Sequence, residues 1–498
     1  MNLPQALYYA AQSRQLDKTA IEHCGIAGYT LMQRAGQAAF RLLRMRWPRA
    51  RHVSAVCGPG NNGGDGYVIA RLAHEAGLVA QVLTVGDPTR LQGDALTARQ
   101  AAQGAGVPLE PFTAGRLGKS EVIVDALFGT GLEREVHEEW RAAIDAINSA
   151  GVPVLAIDIP SGLHADSGRV LGAAVRAQAT ITFIALKAGL FTGHGRDYCG
   201  SIGFDDLDVP VEAYHAVPPV AWRLTEESLT NLVDRRPSAH KGDAGHVGIV
   251  GGVAGMAGAV RLAGEAAYRA GAGLVTIATH PAHAAWVNIA RPELLANAVT
   301  DGASLRVALR RATVLAVGPG LGQERWGREL FAEVLDARLP KVVDADALNL
   351  LAAEPLKRGD WVLTPHPGEA ARLLGVSTAD VQNQRFDALR ALVERYGGVC
   401  VLKGAGSLIG AQDDPRVWLC DAGNPGMASG GMGDVLTGVL AALLAQGLTA
   451  LDAARLGVWV HAVAGDDAAR AGGTIGLLAS DLMPFIRHRL SQLGGYAA

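Results

Sequence analysis

Residues 420–447 read CDAGNPGMASGGMGDVLTGVLAALLAQG, and this stretch ties a fold to a chemistry. From Val435 to Leu444 the run is almost wholly apolar, which reads as a buried helix. Directly ahead of it stand Gly430, Gly431 and Gly433. The first amides of a helix have no partner within it and lie at the positive end of its dipole. The junction therefore gathers free N–H groups at one point, where negative charge developing on a transferred phosphoryl group is stabilised. Asp434, at the helix start, is suited to orient or deprotonate a substrate hydroxyl. A plain glycine-rich cap is the alternative, and GNPGMASG at 423–430 weighs against it.

A buried helix needs a sheet to lie on, and one is legible upstream. From Gly245 onward HVGIVGG, LVTIAT, VLAVG, KVVDAD, WVLTPH and VCVLKG alternate with turns and helix-like stretches. The same rhythm runs from Val53 to Phe204, through VSAVC, AQVLTV, EVIV, VPVLAI and ATITFI. Between them, Asp205 to Pro237 carries Pro210, Pro218, Pro219 and Pro237 and no sustained period. Two α/β domains are expected, at 1–215 and 236–498, with a linker at 216–235. The halves share no motif that aligns, so duplication is not supported.

The 498 residues are 49% hydrophobic and 19% charged, enough for two cores and contrary to global disorder. A formal net charge of -3 and the absence of long like-charge runs exclude electrostatic support for a nucleic-acid or membrane-surface partner. The odd set Cys24, Cys57, Cys199, Cys400 and Cys420 has no CxxC pair, which suits a reducing cytoplasm rather than disulfides or zinc. No secretory signal or membrane-length apolar run is visible, so a soluble chain is expected.

In the first half, CGPGNNGGDGY at 57–67 follows a strand and opens a helix. Gly58, Gly60 and Gly63 satisfy GxGxxG, but no acid sits well placed about 20 residues on, so the dinucleotide reading is weak. Asn61, Asn62 and Asp65 add polar groups that a tight turn does not need. Two further polar loops follow strands, DALFGTGLEREV from Asp125 and DIPSGLHADSG from Asp158. Strand ends share one edge of a parallel sheet, so Asn62, Asp65, Asp125, Asp158 and Ser161 are expected to converge. Either aspartate taken alone reads equally well as a helix cap. TAGRLGKS at 113–120 imitates a P-loop but precedes a strand, and is dismissed.

In the second half, Lys403 to Ser407 (KGAGS) is either a nucleotide-approach turn or an ordinary hairpin. His366 and Glu369 follow the strand WVLT, and a histidine between two prolines favours ligand contact. GPGLG at 318–322 and VDADALNLL, with Asp344 and Asp346, repeat the strand-then-polar-loop pattern. The small residues Gly258 and Ala259 either approach substrate or pack a helix closely.

Taken together, QALYYAAQSRQLDKTAIEHCGIAGYTLMQRAG, GPGNNGGDG, DALFGTGL and DIPSGL resemble the N-terminal YjeF-type domain, the NAD(P)H-hydrate epimerase. That likeness implies a Rossmann-like αβα sandwich. It implies that Asn61, Asn62, Gly63, Gly64 and Asp65 hold the hydrated nucleotide together with Gly129, Thr130, Gly131, Leu132, Glu133, Arg134 and Glu135. It further implies K+ at Asn62, Asp125 and Ser161, and Asp158 at the hydrated ring, where an oriented carboxylate can move protons during C6 epimerisation. HKGDAGHVGIVGG, GPGLG, VDADALNLL, TPHPGEAARLL, KGAGSLIG and GNPGMASGGMGD resemble the C-terminal YjeF-type domain, a ribokinase-like NAD(P)H-hydrate dehydratase. Here the likeness implies nucleotide contacts from Lys403, Gly404, Ala405, Gly406, Ser407 and Gly433. Ala257, Gly258, Ala259, Gly320, His366 and Asp434 are implied to face the hydrate.

The fusion resembles the bacterial form, implying ADP as phosphoryl donor, with Mg2+ on the nucleotide, and a homo-oligomer is expected. The alternatives are a ribokinase-like kinase of a small alcohol, such as a hydroxymethylpyrimidine or thiazole, and a non-catalytic nucleotide sensor or scaffold.

Overall fold

The computed structural model describes residues 3–229 and 236–494, and the chain divides into two compact units, Met1–Trp222 and Arg223–Ala498. The segment expected as a linker, 216–235, holds a strand at Ala221–Arg223 and a 3-10 turn at Glu226–Leu229. Residues 230–235 of it lie outside the described residues.

The first unit is built on seven parallel strands. From one edge they run Leu109–Pro111, Val79–Thr84, His52–Cys57, Val122–Ala126, Val154–Ile157, Ala179–Phe183 and Ser201–Asp205. All five apolar runs read from the sequence are strands. The central ones are buried on both faces, which is why they read as continuous rather than alternating. Val53, Ala55 and Cys57 pack into one core with the helices Gly28–Arg46, Asn61–Glu75 and Gly93–Gly104. Val56, Ile123 and Val154 face the other way, onto Ala143, Ile144 and Ile147 of the helix Glu138–Ser149. The period-2 pleat thus feeds two helical layers, an αβα sandwich. Strand order reverses at His52–Cys57 beside Val122–Ala126, and a crevice opens beyond the carboxyl ends of such a pair. TAGRLGKS folds as a 3-10 turn, Ala114–Lys119, ahead of a strand.

In the second unit, seven parallel strands run Leu295–Ala298, Leu274–Thr279, His246–Val250, Val314–Val317, Lys341–Val343, Trp361–Leu363 and Val399–Leu402. Two antiparallel strands, Ser407–Ala411 and Asp414–Cys420, extend the sheet. The apolar stretch after Gly431 is the helix Met432–Ala445, buried almost throughout. It packs on the helix Ala257–Arg269 so closely that a Cβ on Gly438 would stand 2.0 Å from the Ala263 carbonyl oxygen. Among the described residues no helix is long and apolar enough to cross a membrane.

Candidate active sites

In the first unit the three polar loops meet. Helix Asn61–Glu75 starts from Gly60 with no side-chain cap, and its first intrahelical bond is Gly64 N–H to Gly60, so the amides ahead of it are free for an anion. The GxGxxG spacing has a packing cause. A Cβ on Gly58 would lie 2.1 Å from the Leu127 carbonyl oxygen, and one on Gly63 would lie 2.0 Å from the Gly58 carbonyl oxygen. Glycine here brings the helix onto the strand end.

Asp125 is fully buried and accepts from both groups of Ser161, the backbone N–H at 2.8 Å and the hydroxyl at 2.6 Å. Burial pushes its carboxyl up to about 6, opposed by the Ser161 hydrogen bonds. The Ser161 Oγ accepts from Phe128 N–H at 2.8 Å, and Asn62 Nδ2 donates to the Phe128 carbonyl at 2.9 Å, leaving Oδ1 as an acceptor. Asn62, Asp125 and Ser161 are thus brought to one point around Phe128. Their donors are carboxylate, hydroxyl, amide and carbonyl oxygens, which suit a hard or alkali cation and fit K+. Among the described residues no three His, Cys, Asp or Glu side chains gather as a metal site.

Beside this point a cleft of about 840 Å³ is lined by Asn61, Asn62, Asp65, Gly129 to Arg134 and Asp158. Gly63 and Gly64 lie behind its wall, the latter against the Met32 side chain, and Glu135 is exposed and 3.9 Å from His137. Asp158 adopts a left-handed backbone, φ 66°, unusual for a residue other than glycine. Its Oδ1 accepts from Thr182 Oγ1 at 3.0 Å and from the buried Lys187 ammonium. Asp17 and Asp65 line the same cleft; burial lifts the carboxyl of Asp17 to about 6 and that of Asp65 well above the usual range. Asp17 lies within the QALYYAAQSRQLDK stretch but was given no role of its own there, and Lys187 stands outside every motif read from the sequence.

The second unit collects its own groups at the carboxyl edge of the sheet. Asp344, one residue past the strand Lys341–Val343, is buried; it accepts from Lys403 Nζ, Thr364 Oγ1 and Thr437 Oγ1, each at 2.8 Å. Burial opposes its charge, but Lys403 and the two hydroxyls outweigh it and hold the carboxyl below the usual range. A Cβ on Gly433 would stand 3.4 Å from Lys403 Nζ, so the helix start closes directly over this pair. Gly431, at φ 90°, makes the turn into the helix, whose first intrahelical bond is Val435 N–H to Gly431. Asp434 lies in that first turn, its carboxyl raised to about 7 by burial and the Asp344 charge, against the pull of Lys403.

The KGAGS segment is the turn of a hairpin between Val399–Leu402 and Ser407–Ala411. Its Lys403 N–H donates to the Pro365 carbonyl at 2.9 Å, and Ser407 Oγ donates back to Gly404 at 3.0 Å. Beneath it, buried Arg385 donates to the carbonyls of Lys403 and Gly406 at 3.3 and 3.2 Å. Gly404, at φ 137°, leaves room for that guanidinium, since a Cβ there would lie 2.9 Å from it.

His366 caps the helix Pro367–Leu374, its Nδ1 accepting from Gly368 N–H at 3.0 Å, while Nε2 lies 3.3 Å from Glu369. Glu369 in turn is 3.9 Å from Lys403 Nζ, which joins His366 to the same cluster. Ala257, Gly258 and Ala259 form the first turn of the helix Ala257–Arg269, and a Cβ on Gly320 would meet Ala259 at 3.4 Å. Three supports carried no motif signal. Arg385 is one. Asp466 holds Gly423 N–H and Asn424 Nδ2 at 2.9 Å each, and His461 bonds the Met432 carbonyl at 3.0 Å.

The YjeF-related N-terminal family matches residues 28–189, and the NAD(P)H-hydrate dehydratase family matches 247–488. The bifunctional NAD(P)H-hydrate repair enzyme of Coxiella burnetii is 49% identical, over 97% of this chain and 98% of its own length. That of Escherichia coli is 46% identical over 97% and 93%. A crystal structure of the ADP/ATP-dependent NAD(P)H-hydrate dehydratase from Bacillus subtilis with ATP/Mg2+ is 28% identical, at a TM-score of 0.47 over 54% of this chain and 97% of that one. The αβα sandwich of the first unit and the α/β sheet of the second carry the two families that the sequence motifs implied, in the same order along the chain. With both halves matched in order and relatives matched along nearly their whole length, the chain belongs to the family of bifunctional NAD(P)H-hydrate repair enzymes.

Proposed function

We propose that the chain returns both epimers of hydrated NADH or NADPH to the intact nucleotide. The cleft of the first unit interconverts the R and S forms, and the second unit dehydrates the S form at the expense of ADP. The observation that carries the reading is the placement of Asp434 in the first turn of a glycine-led helix that closes over the Lys403–Asp344 pair.

Asp434, poised at about 7, takes the proton of the 6-hydroxyl as its oxygen attacks the β-phosphorus of ADP. The free amides at the helix start receive the charge on the phosphoryl oxygens, and AMP leaves. Phosphate is a far better leaving group than hydroxide. The ring nitrogen expels it from C6, and loss of a C5 proton restores the dihydropyridine. The products are NAD(P)H, AMP and phosphate. Lys403 to Ser407 cradle the nucleotide, with Gly433 opposite, and Ala257 to Ala259, Gly320 and His366 face the hydrate. Mg2+ accompanies the nucleotide by the general logic of phosphoryl transfer.

In the first unit Asp158 moves the proton of the 6-hydroxyl, and Asn61 to Asp65 and Gly129 to Glu135 hold the nucleotide. Asn62, Asp125 and Ser161 would hold K+, which would supply a fixed positive charge to the cleft. All five cysteines are free thiols, in keeping with a cytoplasmic location. The homo-oligomer is tested by native mass spectrometry.

The test is absorbance at 340 nm as the chain acts on mixed R and S hydrate with ADP and Mg2+. Complete recovery of NADH, lost in Asp434→Asn, is the expected result. No recovery with ADP or ATP overturns the reading. The small-alcohol kinase leaves the whole first unit without a use, and a stable phosphorylated product is what it requires.

A further inference from the structure

The epimerase cleft contains a lysine that no motif singles out. Lys187 ends the two-residue strand Leu186–Lys187, and its side chain is 2% exposed although the residue lines the cleft. Its ammonium has three donors and finds three acceptors: Asp158 Oδ1, Thr182 Oγ1 at 3.1 Å and the Phe183 carbonyl at 3.0 Å. A saturated ammonium has no donor left for a substrate. What it does is occupy one oxygen of Asp158, which Thr182 also binds, so that Oδ2 is the oxygen left to the cleft.

The backbone is bent to make this contact. Asp158 has φ 66° and Ile184, in the turn that delivers Lys187, has φ 60°. A left-handed backbone is costly for a β-branched residue, about 1–3 kcal/mol, and such strain collects at functional sites. Both residues line the same cleft. Two more acids from separate helices line the cleft and feel the charges of Asp158 and Lys187, Asp17 of Ala10–Glu22 and Asp65 of Asn61–Glu75.

We infer that Lys187 is a positioning residue for epimerisation, holding Asp158 as the base while Asp17 and Asp65 in the same cleft carry the proton that the ring nitrogen needs. This rests on the proposed role of Asp158. The reacting centre is a hemiaminal, with a hydroxyl and a ring nitrogen on C6. Asp158 takes the hydroxyl proton, the C6–N1 bond breaks with its electron pair going to N1, and Asp17 or Asp65 protonates N1. The resulting aldehyde turns and recloses through its other face. N1 returns its proton, the new hydroxyl regains one from Asp158, and C6 is inverted with no other reactant.

The charges that bear on this set are few. Arg14 shares the helix of Asp17, and Lys187 lowers both Asp17 and Asp65 against the burial that raises them. Asp94, Glu133 and Arg134 lie further along the wall, and Cys57 and Asp125 lie behind it. Removing the ammonium takes away the cation that offsets burial at Asp17 and Asp65, so both carboxyls become harder to ionise, and it frees Asp158 Oδ1 from the contact that orients it.

The test follows epimer interconversion by chromatography on the full chain without ADP, across pH, in Lys187→Met, Lys187→Arg and Asp17→Asn. Lys187→Met is expected to lower kcat about tenfold or more at neutral pH and to move the rising limb of the profile up by about a unit. Lys187→Arg is expected to keep the limb in place, and Asp17→Asn to move the falling limb. A Lys187→Met profile of unchanged shape, whatever its height, overturns the inference. So does an unmoved falling limb in Asp17→Asn. Asp158→Asn separates the two levels: full activity there removes the reading of Asp158 itself, whereas its loss beside an unchanged Lys187→Met profile removes the inference alone.

Discussion

Lys403 Nζ lies 2.8 Å from Asp344 Oδ1, a pair drawn from the ends of two strands 59 residues apart and roofed by Gly433. Thr364 Oγ1 donates to the same oxygen and Thr437 Oγ1 to Oδ2, so both oxygens of Asp344 are held. The start of the helix Met432–Ala445 rests on this pair.

Breaking it from one side leaves an uncompensated buried charge. Lys403→Met is expected to destabilise the second unit by about 3–5 kcal/mol. Denaturant unfolding followed by a probe in residues 236–494 reads this, and the transition of the first unit stays where it was.

Asp434, proposed as the base of dehydration, is expected to set its pH dependence. Its carboxyl is raised to about 7, so below that pH it is protonated and cannot accept the hydroxyl proton. The kcat/KM for S hydrate is expected to rise about tenfold per pH unit below about 7 and to level off above it. Asp434→Asn removes the limb and lowers kcat by about 10²–10⁴. A full pH profile with ADP saturating checks both.

Arg385 holds the KGAGS turn through the backbone carbonyls of Lys403 and Gly406. Arg385→Lys keeps the charge but cannot span both oxygens. The KM for ADP is expected to rise about tenfold, equivalent to ~1.4 kcal/mol of binding, with kcat changed far less. Steady-state kinetics with ADP and hydrate varied separately make the distinction, since the hydrate KM stays put.

The oxygen cluster of Asn62, Asp125 and Ser161 is expected to bind K+ in the absence of substrate. A ligand at 100 times its Kd adds about 2.7 kcal/mol to the state that binds it. Exchanging K+ for tetramethylammonium at constant ionic strength therefore lowers the Tm of the first unit, and Ser161→Ala abolishes the difference. Thermal unfolding reads this without any activity.

Much of this architecture was open to reading because backbone chemistry is local. The strand-loop-helix order at Cys57 to Tyr67 and at Gly430 to Asp434 follows from apolar runs and the glycines that end them, and both loops stand where expected. The KGAGS turn was open between a nucleotide approach and an ordinary hairpin, and the structure makes it the turn of a hairpin. His366 was read for ligand contact, and its Nδ1 proves to be occupied in capping a helix, which only the geometry after Pro365 reveals.

Local signals, then, were enough for the two domains, for the order of strands and helices, and for the loops at strand ends, since each depends on residues within one turn or one pleat. Which charges meet was decided in three dimensions. Thr437 reaches Asp344 across 93 residues of chain, Lys187 reaches Asp158 across 29, and Arg385 supports a turn 18 to 21 residues away. A charge acquires its state from burial and from the partner a few ångströms off, and neither exists until the sheet has brought distant strand ends to one edge.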